Sequence, residues 1–276
     1  MTNRRLMAGC LAAAVVAVPA ATLGSSATAA PKKPTIVMSG STSVAPLARK
    51  LAKRYLKQYP GRVKFRLLQG GSDVGIADVA AGRSTIGNSS RDPKESEAGG
   101  IVFNKIARDA LCVATHPSNR IADLSQSAVQ DIFTGTVRDW SDVPGSTITG
   151  PINLVVRAAS SGTQDAFDKL FLGKGNKVAP SASQKNSNGL VQSSVKSDPQ
   201  AIGYVSLAFG EGLNIPSFKG TPCTLQDSKT GAYEGSRNFF MVTRGPKSGA
   251  AGKFITWVQS SPNARKVIST EWVPAT

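Results

Sequence analysis

The chain has a single histidine, His116, and three cysteines, Cys10, Cys112 and Cys223. One imidazole leaves little room for histidine chemistry. A nucleophilic serine needs a base beside it, and metal centres draw on clusters of His, Cys and carboxylates. His116 sits in a His-Pro loop after a strand and reads as structural. A serine hydrolase built on Ser72 or Ser161 is therefore a distant alternative, and no metal or other cofactor is expected. Aromatic residues make up only 6% of the chain, and its basic residues are scattered with no basic tail. Without basic patches interleaved with aromatics, nucleic acid is not an expected partner. Acids are also scarce, at 17 against 33 Lys+Arg, for a net charge of +16. That balance favours an anionic partner but does not identify it.

Beyond the N-terminus no apolar run is long enough to span a membrane, so the mature chain is expected to be soluble. The N-terminus itself reads as a secretory signal peptide over residues 1–29. Arg4 and Arg5 precede an Ala/Val/Leu-rich run, and Ala27-Thr28-Ala29 forms an A-x-A cleavage site. Cleavage after Ala29 avoids a Pro directly following the cut at Ala30. A lipid anchor at Cys10 is not expected, because the apolar run follows that cysteine instead of preceding it. Export places the protein outside the cytoplasm. Cys112 and Cys223 are then the mature chain's cysteines, and an oxidising compartment invites a disulfide between them; two buried free thiols are the alternative.

Four stretches share one pattern, a short strand running into a turn rich in Ser, Thr and Gly. The first is 35–38, followed by Ser39-Gly40-Ser41-Thr42-Ser43 and a helix with apolar Val44, Leu47, Leu51, Tyr55 and Tyr59. Pro46 is tolerable only in the first turn, which starts that helix beside Thr42 and Ser43. The second is the alternating strand Val63, Phe65, Leu67, then Gln69-Gly70-Gly71-Ser72-Asp73 and a helix. The third is Ile86-Gly87-Asn88-Ser89-Ser90-Arg91-Asp92. The fourth is the β-branched run 152–156, then Arg157-Ala158-Ala159-Ser160-Ser161-Gly162-Thr163, then a helix carrying Ala166, Phe167, Leu170 and Phe171. Ser161 occupies an N-cap position, and Gln164 completes a capping-box pattern. Unpaired N–H groups and the positive helix end suit an anion there. Arg157 adds a fork of donors matched to an oxyanion. Ordinary helix capping explains one such turn more easily than four.

Further strands are expected at 110–114, 201–206 and 239–243. Helices are expected at 124–133, ended by Gly135, and at 251–258 and 262–268. Trp140 is expected in the core, and 173–188 reads as a polar loop. Alternating strands and helices mean an α/β fold, and such sheets bind ligands at the carboxyl ends of their strands.

These residues resemble the phosphate-binding proteins of ABC-type phosphate transporters, in the periplasmic binding protein superfamily. The stretch 39–47, Gln69-Gly70-Gly71-Ser72 and Ile86-Gly87-Asn88-Ser89-Ser90-Arg91 are similar to that family's first three loops. Arg157 with Ser161-Gly162-Thr163 is similar to its most specific motif, and 131–135 with Trp140 and 201–205 also match. The resemblance implies a type II two-lobed fold, each lobe a mixed sheet flanked by helices and joined by a hinge. It implies lobe I at 35–111 with 225–276 and lobe II at 112–224, so that a Cys112–Cys223 bridge would staple the hinge region. It implies a monomeric binding protein, not an enzyme, that captures inorganic phosphate and hands it to ABC transporter permease subunits. The ligand contacts implied are Thr42, Ser43, Ser72, Ser90, Arg157, Ser161, Gly162 and Thr163. Two departures stand out. Ser90 occupies the place where the family's long branch has an aspartate that accepts the phosphate proton and excludes sulfate, leaving Asp73 and Asp92 as candidate acceptors. Ala159 stands where the family often has an acid paired with the arginine. Another oxyanion (sulfate, molybdate) and a secreted phosphate scavenger are the alternative readings.

Overall fold

The computed structural model describes residues 1–2, 32–97 and 99–275. The signal peptide and Cys10 readings fall outside the described residues. The compact body considered below is Lys33–Thr276.

The first three strands are β1 (Thr35–Gly40), β2 (Lys64–Leu67) and β3 (Ile86–Ser89), separated by α1 (Ala45–Gln58) and α2 (Ser72–Ala80). α1 buries Leu47, Ala48, Leu51 and Tyr55 at helical spacing, and Pro46 lies in its first turn, where no helical N–H is needed. β1 is parallel to both neighbours, with Met38 opposite Leu67 on one side and Ile86 on the other. The carboxyl ends of these strands, and the turns that leave them, therefore lie side by side.

The chain continues through β4 (Ile101–Thr115), β5 (Asp123–Leu124), α3 (Gln126–Thr134), β6 (Asn153–Arg157) and α4 (Gly162–Phe167). Then come β7 (Ser183–Lys185), α5 (Asn188–Ser197), β8 (Ala201–Ser206), β9 (Ser217–Phe218) and α6 (Leu225–Thr230). The last elements are β10 (Ser236–Arg244), α7 (Gly249–Ser260), α8 (Pro262–Ile268) and β11 (Val273–Pro274). The main sheet runs β2-β1-β3-β10-β4-β8-β6-β7, with β11 also on β4, while β5 and β9 pair separately. β4 is the common member: residues 101–110 pair antiparallel with β10, and residues 111–115 with β8.

The two largest apolar cores follow the same division. One core gathers Ile36, Leu51, Ala107, Phe239, Phe254 and Trp272; the other gathers Ala110, Phe133, Trp140, Phe167, Tyr204 and Tyr233. The chain passes from the first core to the second within β4 and returns between Tyr233 and Phe239. Cys112 and Cys223 form a disulfide, and both belong to the second core, so the bridge closes a loop inside that half. Trp140 is fully buried there, as expected, and its indole N–H donates to the Gln200 carbonyl. The polar stretch 173–188 departs from its loop reading. β7 adds to the sheet edge beside β6, and Asn188 opens α5. A Ser-Gln-Lys strand carries no apolar alternation; only the neighbouring strand makes it one. Among the described residues no helix is long and apolar enough to cross a membrane.

Candidate anion-binding site

The four Ser/Thr/Gly turns converge. Ser41 Oγ donates to Ser90 Oγ at 2.9 Å, joining the first turn to the third. The Ser90 N–H donates to Ser72 Oγ at 3.1 Å, joining the third to the second. The Asp73 N–H donates to the Ser160 carbonyl at 3.2 Å, joining the second to the fourth. Ser43 Oγ lies 2.9 Å from Thr163 Oγ1, joining the first to the fourth. Two glycines permit this approach. A Cβ on Gly162 would sit 2.3 Å from Ser72 Oγ, and one on Gly71, which has φ +95°, would sit 2.7 Å from the Ser160 carbonyl oxygen. All eight expected contact residues are buried. The cleft beside them, of about 460 Å³, is lined by Thr42, Gly70, Arg157, Ser161 and Ser187. A larger groove of about 860 Å³, lined by Ile132, Arg138 and Asp198, contains none of the four turns.

Backbone donors face this cluster. The N–H groups of Thr42, Ser43 and Gly162 have no acceptor among the described residues. Ser161 is the N-cap of α4, and its hydroxyl accepts from the Thr163 N–H. The second half of the capping box is not formed. Gln164 turns away, its Nε2 donating to Asp168 and its Oε1 accepting from the Tyr204 hydroxyl. Packing decides this, because Tyr204 is fully buried against Phe167 and its O–H needs an acceptor.

Arg157, at the end of β6, is 2% exposed. Its Nε donates to the Lys185 carbonyl and its Nη2 to the Asn186 carbonyl, each at 3.1 Å. Its Nη1 is buried without a partner. Among the described residues no carboxylate lies within ion-pair distance, consistent with Ala159 in place of an acid. Burial lowers the guanidinium pKa to about 10; the Tyr204 phenol opposes the shift and the charge of Arg237 adds to it. The fold thus holds a buried cation with an unused donor and no counterion.

The two candidate proton acceptors are committed elsewhere. The Asp73 carboxylate pairs with Arg91 at 2.7 Å and faces Lys94 at 3.8 Å. Asp92 pairs with Lys169 at 3.2 Å and accepts from Asn238. His116 is engaged within its own loop, by Ser118.

Sequence reasoning missed four residues behind the turns: Asp109, Asn188, Ser206 and Arg237. Asn188 donates through Nδ2 to Thr42 Oγ1 at 3.1 Å and to Ser43 Oγ at 2.8 Å. Arg237 donates to Ser43 Oγ at 2.8 Å and forks onto Asp109, whose other oxygen accepts from Ser206 Oγ. Burial pushes the Asp109 carboxyl up and the Arg237 guanidinium down, each opposed by the other's charge. One signal was available for Arg237, which shares the inward face of β10 with Phe239 and Met241 by period-two alternation.

A family model described as a PBP superfamily domain matches residues 25–262. The chain belongs to that superfamily. It is 27% identical over 247 residues to the phosphate-binding protein PstS of Bacillus subtilis, covering 87% of this chain and 81% of that one. It is 29% identical over 239 residues to the phosphate-binding protein PstS of Borreliella burgdorferi, covering 82% and 85%. A solved structure from Clostridium perfringens, assigned as a phosphate ABC transporter substrate-binding protein with bound phosphate, superposes with a TM-score of 0.82. It is 28% identical, and the match covers 88% of this chain and all of that one. An ABC-type phosphate transport receptor from Vibrio cholerae gives a TM-score of 0.70 at 29% identity, covering 86% and 99%. The fold is the two-lobed α/β fold of periplasmic binding proteins, and these PBP superfamily relatives are substrate-binding proteins.

Proposed function

We propose that this chain is an extracytoplasmic receptor that captures inorganic phosphate where the four turns meet and delivers it to an ABC transporter. One observation carries the reading: Arg157 is buried, has an unused donor and has no counterion among the described residues. A buried charge without compensation is strongly unfavourable, and an anion supplied from solution removes the penalty. We assign the contacts to the N–H groups of Thr42, Ser43 and Gly162, to the hydroxyls of Thr42, Ser72, Ser90, Ser161 and Thr163, and to Arg157. Each bond to a charged oxygen contributes about 1.5–3 kcal/mol, and a micromolar site needs only about 8 kcal/mol net. We take the lobes to exchange within β4 and again between Tyr233 and Phe239, where the chain changes core. Closing the lobes would then bring the first three turns onto the fourth and exclude water. The similarity to a phosphate ABC transporter substrate-binding protein and to an ABC-type phosphate transport receptor supports the export reading and a permease partner.

The engagement of Asp73 and Asp92 by cations favours a second reading, in which sulfate occupies the same seat, since no free carboxylate is assigned to receive a phosphate proton. Titration calorimetry of phosphate and sulfate, on the parent protein and on Arg157→Met, separates these. Tight phosphate binding that the variant loses supports the receptor; equal affinity for both anions removes the selectivity. Undiminished binding by the variant would sink the assignment of the seat.

A further inference from the structure

Behind the turns, five buried residues from five parts of the chain close a ring of hydrogen bonds. Asp109 of β4 holds Arg237 of β10, and Arg237 donates to Ser43 Oγ. Asn188, the first residue of α5, donates to the same oxygen, and its Oδ1 accepts from the Ser206 N–H at 3.0 Å. Ser206 Oγ returns to Asp109 at 2.7 Å. The chemistry of the donors fixes every direction in this ring. The Ser206 N–H can only donate, so the Asn188 oxygen must face it and the Asn188 nitrogen must face the hydroxyls. Ser43 Oγ receives from Asn188 and from Arg237, two obligate donors that fill both of its lone pairs. Its own hydrogen must then go to Thr163 Oγ1, 2.9 Å away. That leaves the Thr163 hydrogen for something else. Thr42 Oγ1 likewise receives from the Asn188 N–H at 3.4 Å and from Asn188 Nδ2, and its hydrogen too is left over.

We propose that Asn188, Arg237, Asp109 and Ser206 are positioning residues that orient the hydroxyls of Thr42 and Thr163 as donors toward the bound anion. The inference rests on the phosphate seat proposed above. A hydroxyl on its own turns freely and serves a donor or an acceptor equally well. At Thr42 both lone pairs are occupied from behind, so it presents only a hydrogen; at Thr163 the Ser43 hydroxyl fills one lone pair and frees the threonine's hydrogen, so the seat is biased toward an anion before the ligand arrives. Thr42 also lines the cleft beside Arg157.

The test is a mutant cycle read by calorimetry with inorganic phosphate at fixed pH and salt. Thr42→Val should weaken phosphate binding about tenfold in the parent protein. In an Asn188→Ala background it should weaken binding by less than about twofold, because the unheld hydroxyl no longer aims at the ligand. A full tenfold effect in both backgrounds would overturn the proposal. Circular dichroism and the melting midpoint of each ligand-free variant check folding. Should Asn188→Ala not fold, Asn188→Asp takes its place in the cycle. It keeps the shape and the acceptor for Ser206 but replaces the donor with an acceptor that draws the Thr42 hydrogen away. Asn188→Asp should therefore weaken binding more than Asn188→Ala, whereas a packing role predicts that the isosteric change is the milder one. Arg157→Met separates the two levels. Unchanged binding there removes the seat itself; lost binding there with multiplicative Thr42 and Asn188 effects removes only the ring's role.

Discussion

Two buried arginines, Arg91 after β3 and Arg157 at the end of β6, belong to turns that converge, and each is 2% exposed. Arg91 lies among carboxylates: Asp73 and Glu97 both pair with it. Burial works against its charge, but the hydrogen bonds to Glu97 and Asp73 outweigh burial and its pKa is raised. Arg157 has two carbonyl oxygens, a spare nitrogen and no acid, and its pKa falls to about 10. The same side chain at the same depth therefore does opposite work. Arg91 ties the second turn to the third with its charge satisfied inside the fold, and Arg157 keeps its charge for something outside it. Compensation, more than burial, separates a structural arginine from one that awaits a ligand.

The comparison breaks most easily at Arg157. Arg157→Met should lower phosphate affinity by at least about 100-fold. It should also raise the melting temperature of the ligand-free protein, because it deletes an uncompensated buried charge. Calorimetry and thermal melts on one preparation read both signs. Arg91→Met should do the reverse to stability, lowering it by about 3 kcal/mol in urea melts as Asp73 and Glu97 lose their partner.

The disulfide ranks close behind. Replacing Cys112 and Cys223 by serine opens a loop with a sequence separation of 111 and should remove about 2–5 kcal/mol of stability. Phosphate affinity should stay within about twofold, since both cysteines lie in one core and the bridge joins no turn. A large change in affinity would mean that the bridge does set the geometry of the seat.

The two arginines should also part company with pH. Burial has lowered Arg157 to about 10, so above that pH the ligand-free protein loses the proton that the bound state needs. Phosphate affinity should then fall by about tenfold per pH unit, measured by calorimetry from pH 8 to 11. The Arg91 cluster responds at the acid end. Its hydrogen bond holds the Glu97 carboxyl below the ordinary 4.5. The stability this confers is complete above that pH and is lost as pH falls through the depressed value; acid titration followed by circular dichroism should show the loss, and Arg91→Met should abolish it. The smallest expected effect belongs to Asp92→Asn, which should change phosphate affinity by less than about threefold, because its carboxylate serves Lys169 and Asn238 at the surface. A larger loss would restore Asp92 as the proton acceptor.

Much of this was legible in the order of residues. The run from β1 to α1 could be read because Leu47, Leu51 and Tyr55 repeat at helical spacing and Pro46 marks the first turn. Arg157 could be singled out because it ends a β-branched strand just before a capped helix start. β7 could not be read, since Ser183, Gln184 and Lys185 gain strand geometry only from the open edge of β6. The capping box failed for a similar reason, because the buried hydroxyl of Tyr204, 40 residues away, claims Gln164.

The amino-acid order alone determined the alternation of strands and helices and the four hydroxyl-rich turns, because periodicity, capping and turn chemistry act over a few neighbouring residues. It also determined that few residues were available for acid, base or metal chemistry. Only the tertiary structure decided which charges are compensated. Asp73, a candidate for the seat, instead joins Arg91, while Asn188 and Arg237 reach Ser43 across 145 and 194 positions of chain. Charge pairing and hydrogen-bond direction depend on distances of a few ångströms, and those distances exist only once separate strands lie side by side.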